Sequence, residues 1–193
     1  MYIGIITRLN KDRYTLNKEI CDVIKKAGYE PIGIPSSNVR KLKEVISLCS
    51  GFILQGGENY NSSDIEIVKY LYNENIPTLG ICLGMQMMGK ILKGRFYKVE
   101  NHLSSDLYVH DVNILENTKL YEILNKKTIK VNSRHKEAIK GIKYSAISSD
   151  NVIEAIEDKN KKFFVGVEWH PESIMDNNSK KIFEAFFKSL DRK

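Results

Sequence analysis

Pro77-Thr-Leu-Gly-Ile-Cys82-Leu-Gly-Met-Gln86 decides the fold. An apolar run of strand character reaches Cys82 and passes at once into a helical pattern carried by Met87, Met88, Ile91 and Leu92. A strand that turns straight into a helix puts Cys82 on a sharp bend. Such a bend closes only between small residues, and Gly80 and Gly84 are in place. The thiol then faces the positive end of a helix, which favours the attacking thiolate. A buried structural cysteine fits the same local pattern, so chemistry is assigned only once a base is found.

Upstream of this turn, strand and helix signals alternate. Tyr2 to Thr7 reads as a strand, and Leu16, Ile20, Val23, Ile24 and Ala27 follow at helical spacing, closed by Gly28. Pro31 to Ile34 predicts a second strand and Lys41 to Leu48 a second helix; Gly51 to Leu54 gives a third strand that ends at Gly56 and Gly57. Ser62 and Ser63 are expected to cap a helix with Ile67, Val68 and Leu71 on one face, before a fourth strand at Pro77 to Ile81. This alternation calls for a doubly wound, mostly parallel α/β sheet flanked by helices, with ligands at the carboxyl ends of the strands. After about residue 95 the pattern shifts to period-two strands at Leu107 to Ile114, Lys143 to Ser149, Val152 to Ile156 and Phe163 to Val167. A polar hairpin-like turn spans Asp158 to Lys162, and an amphipathic helix near Ser179 to Leu190 closes the chain. No linker or repeat divides it, so a single domain over 1–193 is expected.

The 42% of apolar and 28% of charged residues fit an ordinary globular protein. No apolar run approaches the roughly 20 residues that cross a bilayer. The opening MYIGIITRLN lacks a positive stretch ahead of an apolar one, so the cytoplasm is the expected location and no membrane partner is predicted. Cys21, Cys49 and Cys82 have neither metal-ligand nor disulfide-framework spacing, which suits a reducing compartment; Cys21 and Cys49 fall on predicted helices or their ends as plain packing residues. The formal charge of +6 comes mostly from lysines scattered among acidic residues. That is a solvated basic surface and not a nucleic-acid stripe, although it would attract a small anionic substrate.

The base is sought among His102, His110, His135 and His170. His170 follows the strand Phe163 to Trp169 in the run Trp169-His-Pro-Glu172. Pro171 stiffens the turn, and the Glu172 carboxylate two residues on can accept the second ring proton, the orienting role of the third member of a triad.

Together, GICLGMQ around Cys82 and WHPE at residues 169–172 resemble the class I glutamine amidotransferase superfamily, whose markers are G-x-C-x-G-x-Q and a late H-P-E. ILQGG at Ile53 to Gly57 is similar to the glycine turn that supplies an oxyanion-hole amide in that superfamily. Within it, Asn132-Ser-Arg134-His135-Lys136 and the IGI opening at Ile3 to Ile5 look like the γ-glutamyl-γ-aminobutyrate hydrolase family. Glu100-Asn101-His102 and His110-Asp-Val112 are similar to the substrate-side segment of its small members. One departure is plain: only Glu58 to Ser62 separate the glycine turn from the next helix, where larger hydrolases carry a long insertion. Part of their substrate wall is therefore missing here.

The resemblance implies a flavodoxin-like amidotransferase fold with additional antiparallel strands in the C-terminal half. It also implies a cysteine hydrolase with Cys82, His170 and Glu172 as its triad and the amides of Gly57 and Leu83 as its oxyanion hole. Gln86 would face the glutamyl group, and Arg134, His135, Lys136, Asn101, His102 and His110 would contribute to substrate binding. No metal or organic cofactor is expected. The implied partner is a small γ-glutamyl substrate, either a γ-glutamyl amine or a γ-glutamyl nucleotide amidate, and self-association as a homodimer stays open. Two other readings share these motifs: a glutaminase that passes ammonia to a synthetase partner, and a non-enzymatic redox sensor on the same fold.

Overall fold

The computed structural model describes residues 1–36 and 39–190. In chain order, β1 (Tyr2–Ile6) leads into a hairpin of β2 (Arg8–Asn10) and β3 (Arg13–Thr15), then α1 (Lys18–Lys26), β4 (Glu30–Ile34), α2 (Val39–Leu48) and β5 (Cys49–Leu54). Next come α3 (Ser62–Asn73), β6 (Thr78–Ile81), α4 (Leu83–Ile91), β7 (Arg95–Lys98), β8 (His110–Ile114), α5 (Lys119–Leu124) and β9 (Thr128–Val131). The chain ends with β10 (Glu137–Lys140), β11 (Ala146–Ser148), β12 (Ile153–Glu157), β13 (Phe164–Val167), α6 (Pro171–Ile174) and α7 (Asn177–Lys188).

Nine strands form the main sheet in the order β4-β1-β5-β6-β13-β12-β11-β8-β9. Pairings from β4 to β13 are parallel, and those from β13 to β9 are antiparallel. This is the α/β architecture the sequence predicts, with its antiparallel extension drawn from the C-terminal half. Both faces are buried, because alternate residues of a strand point to opposite sides. Ile3, Ile5 and Ile53 pack with Ile20, Ile24, Phe183 and Phe186 of α1 and α7. On the opposite face, Ile6, Phe52 and Leu54 pack with Ile67, Val68, Met85 and Met88 of α3 and α4. No helix among the described residues is long and apolar enough to cross a membrane.

The differences from the sequence reading lie at element ends and in elements it does not contain. Leu16 falls outside α1, whose cap is Asn17, with its side chain accepting from the amides of Glu19 and Ile20. The cap of α3 is Asn61, closed into a capping box by Asp64, so Ser62 and Ser63 occupy the first turn instead. Strand β8 begins only at His110, and Leu107 and Tyr108 are exposed before it. The β2–β3 hairpin, strands β7, β9 and β10 and the short helices α5 and α6 are additional to the predicted elements. Cys49 opens strand β5 after α2, while Cys21 stays on α1.

Close approach of α4 to β5 depends on Gly84, where an added Cβ would run into the Leu54 carbonyl. Gly28, with φ +83° and open space around it, tests backbone strain alone. Gly84→Ala is expected to cost about 3 kcal/mol or more, because backbone cannot move aside as a side chain can. Gly28→Ala should cost about 1 kcal/mol. Thermal unfolding of both variants checks this; an equal or smaller loss for Gly84→Ala would contradict the contact.

Candidate active site

Three neighbouring parallel strands deliver the site. β5 ends in the turn Gln55-Gly56-Gly57, β6 ends at Cys82, and β13 runs on to His170. Cys82 is the N-cap of α4 with φ 52° and ψ −115°, a backbone conformation an L-residue adopts only under constraint. Its amide donates to the Val167 carbonyl at 2.8 Å and its carbonyl accepts from the Gln86 amide at 3.0 Å, so the bend is tied to β13 on one side and to the helix on the other. A Cβ on Gly80 would meet the Met88 sulfur and the Met85 amide, which explains the small residue there.

His170 Nδ1 donates to Glu172 Oε1 at 2.8 Å, which leaves Nε2 as the ring nitrogen able to accept a proton. The ring and the nucleophile converge over Gly56: a Cβ placed there would lie 2.8 Å from His170 Cε1, 3.6 Å from His170 Nε2 and 3.5 Å from Cys82 Cβ. Only glycine leaves that space open. Asn132 clasps the His170 backbone from both sides, accepting from its amide at 2.8 Å and donating to its carbonyl at 3.1 Å. Buried Glu172 also accepts from Asn17 Nδ2 at 3.3 Å, so the residue that caps α1 helps to fix the triad.

The turn beneath the reaction centre is braced as firmly. Gln55 Nε2 donates to the carbonyls of Ile6 at 3.1 Å and Thr15 at 2.9 Å, while Oε1 accepts from the Asn17 amide at 2.8 Å. Arg8 Nη2 and Nε donate to the Gln55 carbonyl at 2.9 and 3.3 Å, and Nη1 pairs with Asp64 Oδ1 at 3.2 Å. The Arg8 stem packs under Gly57, where a Cβ would come within 2.9 Å of Arg8 Cδ. Arg8, Asn17 and Asp64 are site-building residues that the motifs do not announce, because each acts from a different element. The signal for Gln55 and Asn132 was present, since both sit inside the quoted motifs.

At Cys82 the helix end that favours a thiolate is opposed by burial. Burial pushes the Cys82 thiol well above its ordinary pKa, and Glu168 and Glu172 nearby act in the same direction, against the opposing Leu83 amide. Burial also raises the Glu168 carboxyl well above the usual carboxylate range, with Glu154 adding to the effect. The helix end is present at the thiol, but loss of solvent outweighs it.

The predicted substrate-side residues separate into three groups. Gln86 is buried, and its Nε2 donates to the Glu137 carbonyl at 2.8 Å and, in a short bond, to Glu168 Oε1. Both amide protons are thus committed inward, and Gln86 braces the wall of the site in place of offering them to a glutamyl group. His102, His110 and His135 come together around the fully buried Glu154. Arg134, Lys136 and Asn101 stay on the surface; Arg134 Nη1 donates to Ser173 Oγ at 3.0 Å, and Asn101 has φ 62°. Beside the glycine turn, a cleft of about 910 Å³ opens between the β2–β3 hairpin and Gly56, Gly57, Glu58 and Asn59.

Comparison with known proteins agrees with this geometry. The Peptidase C26 family matches residues 59–172, the span that holds Cys82, His170 and Glu172. A glutamine amidotransferase-like protein of Rickettsia prowazekii is 26% identical over 91% of this chain and 89% of its own length. The glutamine-hydrolyzing GMP synthase of Dictyostelium discoideum is 32% identical over 81% of this chain, a stretch that makes up 23% of that protein. The glutaminase domain of Trypanosoma brucei CTPS, solved with bound acivicin, shares the fold with a TM-score of 0.76 at 17% identity, covering 100% of this chain and 95% of that one. The chain belongs to the Peptidase C26 family, within the class I glutamine amidotransferase superfamily, and amide hydrolysis is the chemistry that this membership supports.

Proposed function

We propose that the protein hydrolyses the γ-glutamyl amide bond of a small γ-glutamyl conjugate, a γ-glutamyl amine or nucleotide amidate, through a thioester on Cys82, and releases glutamate. The observation that carries this reading is the convergence of the Cys82 bend and the Glu172-oriented His170 ring over the open face of Gly56. Cys82 Sγ attacks the amide carbon while its proton passes to His170 Nε2. Attack and proton transfer are coupled, since burial disfavours a free thiolate. The oxyanion is met by the amides of Gly57 and Leu83, each such donor being worth about 3 kcal/mol. Collapse breaks the C–N bond, and the departing amine takes the proton from His170. Water then attacks the thioester, gives its proton to His170, and the thiol is re-formed as glutamate leaves.

Two features favour a conjugate over free glutamine. A cleft of about 910 Å³ adjoins the glycine turn, lined by Gly56 and Gly57 though not by Cys82 or His170, and gives room beside the turn for a group larger than ammonia. The turn itself is already held by Arg8 and Gln55 without help from another chain. A glutaminase that feeds a synthetase is the second reading, favoured by the likeness to a glutamine-hydrolyzing GMP synthase. Under the first reading the enzyme works in the cytoplasm without a partner chain.

Cys82→Ala and Cys82→Ser are expected to abolish turnover with the fold retained, whereas Cys21→Ser and Cys49→Ser keep it. His170→Ala should lower kcat by about 10⁴-fold or more, and Glu172→Gln roughly tenfold to a hundredfold less severely, because a neutral amide still positions the ring. Equal and complete loss in both would make Glu172 a direct acid or base.

A raised thiol pKa leaves less thiolate at any given pH. Iodoacetamide should therefore label Cys82 in the free enzyme more slowly than a simple thiol at pH 8, with a rate still climbing above about pH 9. A plateau below pH 7 would show a preformed thiolate. In the functional test, glutamate release from a panel of γ-glutamyl amides is measured without ATP or added protein, with glutamine as reference. A conjugate turned over faster than glutamine supports the hydrolase; cleavage of glutamine alone, and only after a synthetase is added, establishes the second reading.

A further inference from the structure

The three histidines gathered on Glu154 are more than a packing cluster. They arrive on separate segments: His102 precedes β8, His110 opens it, His135 lies between β9 and β10, and Glu154 is on β12. His110 Nε2 stands 3.1 Å from Glu154 Oε1, His102 Nδ1 3.4 Å and His135 Nε2 3.9 Å from the same oxygen, and His102 Nδ1 is 3.1 Å from His135 Nε2. One ligand atom each from His102, His110 and Glu154 fall within 4.8 Å of one another. In a tetrahedral zinc site with bonds of about 2.0–2.1 Å, neighbouring ligand atoms are about 3.4 Å apart, and these separations bracket that value.

The hydrogen bonds point outward from the cluster, as they do around a metal. His135 Nδ1 donates to the Glu137 carbonyl at 2.9 Å and His102 Nε2 to Asp150 Oδ2 at 2.9 Å, which aims a lone pair of each ring at the other and at Glu154. Ser133 Oγ lies 3.2 Å from His102 Nδ1 but directs its proton to the His102 carbonyl at 2.8 Å. His110 Nε2 and Glu154 Oε1, buried and 3.1 Å apart, face each other, and Glu154 Oε2 is buried with no hydrogen-bond partner among the described residues. Glu154 is 0% exposed, so a carboxylate there calls for a compensating cation.

We propose that His102, His110, His135 and Glu154 bind one zinc ion, which ties the four segments of the antiparallel half together beside the catalytic centre. Three imidazoles and one carboxylate match zinc, whereas magnesium and calcium take oxygen ligands. Four protein donors leave no open position, which makes the ion structural. The expectation of no metal is revised on this ground, and ligands on four segments give no spacing that a sequence could reveal. The site also adjoins the reaction centre, because His135 Nδ1 lies 3.5 Å from Glu168 Oε1, the oxygen that Gln86 binds.

The test uses the full chain, stripped with dipicolinate and titrated with Co(II) and then Zn(II). Binding of one equivalent of Co(II) with the visible spectrum of a tetrahedral nitrogen–oxygen site, its displacement by Zn(II), and a rise in Tm with either metal are expected. The Cys82→Ala variant should bind equally, which separates this site from the catalytic thiol. His110→Gln and Glu154→Gln should weaken binding by more than about tenfold, and Asp150→Asn, which leaves all four ligands intact, by about tenfold. Folded, stripped wild type that takes up no metal, or uptake lost in Cys82→Ala and kept in Glu154→Gln, overturns the proposal.

Discussion

Everything in the site is arranged around one unfavourable backbone. Cys82 at φ 52° costs of the order of 1–3 kcal/mol, and it persists because its neighbours leave no alternative. Its amide is claimed by Val167 and its carbonyl by Gln86, so relaxing the bend would break either the β6–β13 ladder or the first turn of α4. Gly80 and Gly84 let strand, helix and sulfur share the same volume. The strain lifts the thiol off the carboxyl end of the sheet, where β5 and β13 end as well, and one bend thereby fixes where the oxyanion turn and the base must stand.

At the thiol itself two effects oppose each other. A helix end favours a nearby anion by about 0.3–1 kcal/mol at the surface and up to about 2 kcal/mol when partly buried. Removing a charge from water costs several kcal/mol. Cys82 is 5% exposed, and burial pushes its thiol pKa up against the helix end. Such a nucleophile depends on a base already in position. Asn132 on the His170 backbone, Glu172 on its ring and Asn17 on Glu172 provide that position before substrate arrives.

The parts legible in the sequence are those in which one local segment carries the whole signal. The bend at Cys82, the WHPE turn and the alternation of strand and helix through Ile81 are of this kind, since apolar periodicity and glycine spacing act over a few residues. What escaped is non-local. Arg8 looks like the polar end of an apolar strand until the fold places it under Gly57, and Gln86 looks like a substrate contact until Glu137 and Glu168 are found beside it. The histidines were singled out individually, but only strand pairing from β13 to β9 shows that they meet Glu154. Helix starts shifted for a simpler reason: Asn17 and Asn61 accept from amides two or three residues on, and the apolar pattern contains no trace of that.

The buried acids explain why the catalytic and antiparallel halves act as one body. Glu154, Glu168 and Glu172 are each 2% exposed or less, and a carboxylate so placed is tolerated only with a specific answer to its charge. The three answers differ. Glu172 faces His170 and Asn17, Glu168 is driven toward its neutral form by burial, and Glu154 faces the three-histidine cluster. Glu168 stands between the other two, touching Gln86 from the nucleophile helix and His135 from the cluster. Glu154 is thereby linked to Gln86, one helical turn from Cys82, through three contacts by way of His135 and Glu168. The antiparallel strands thus bring buried charge up against the parallel half that carries Cys82 and His170.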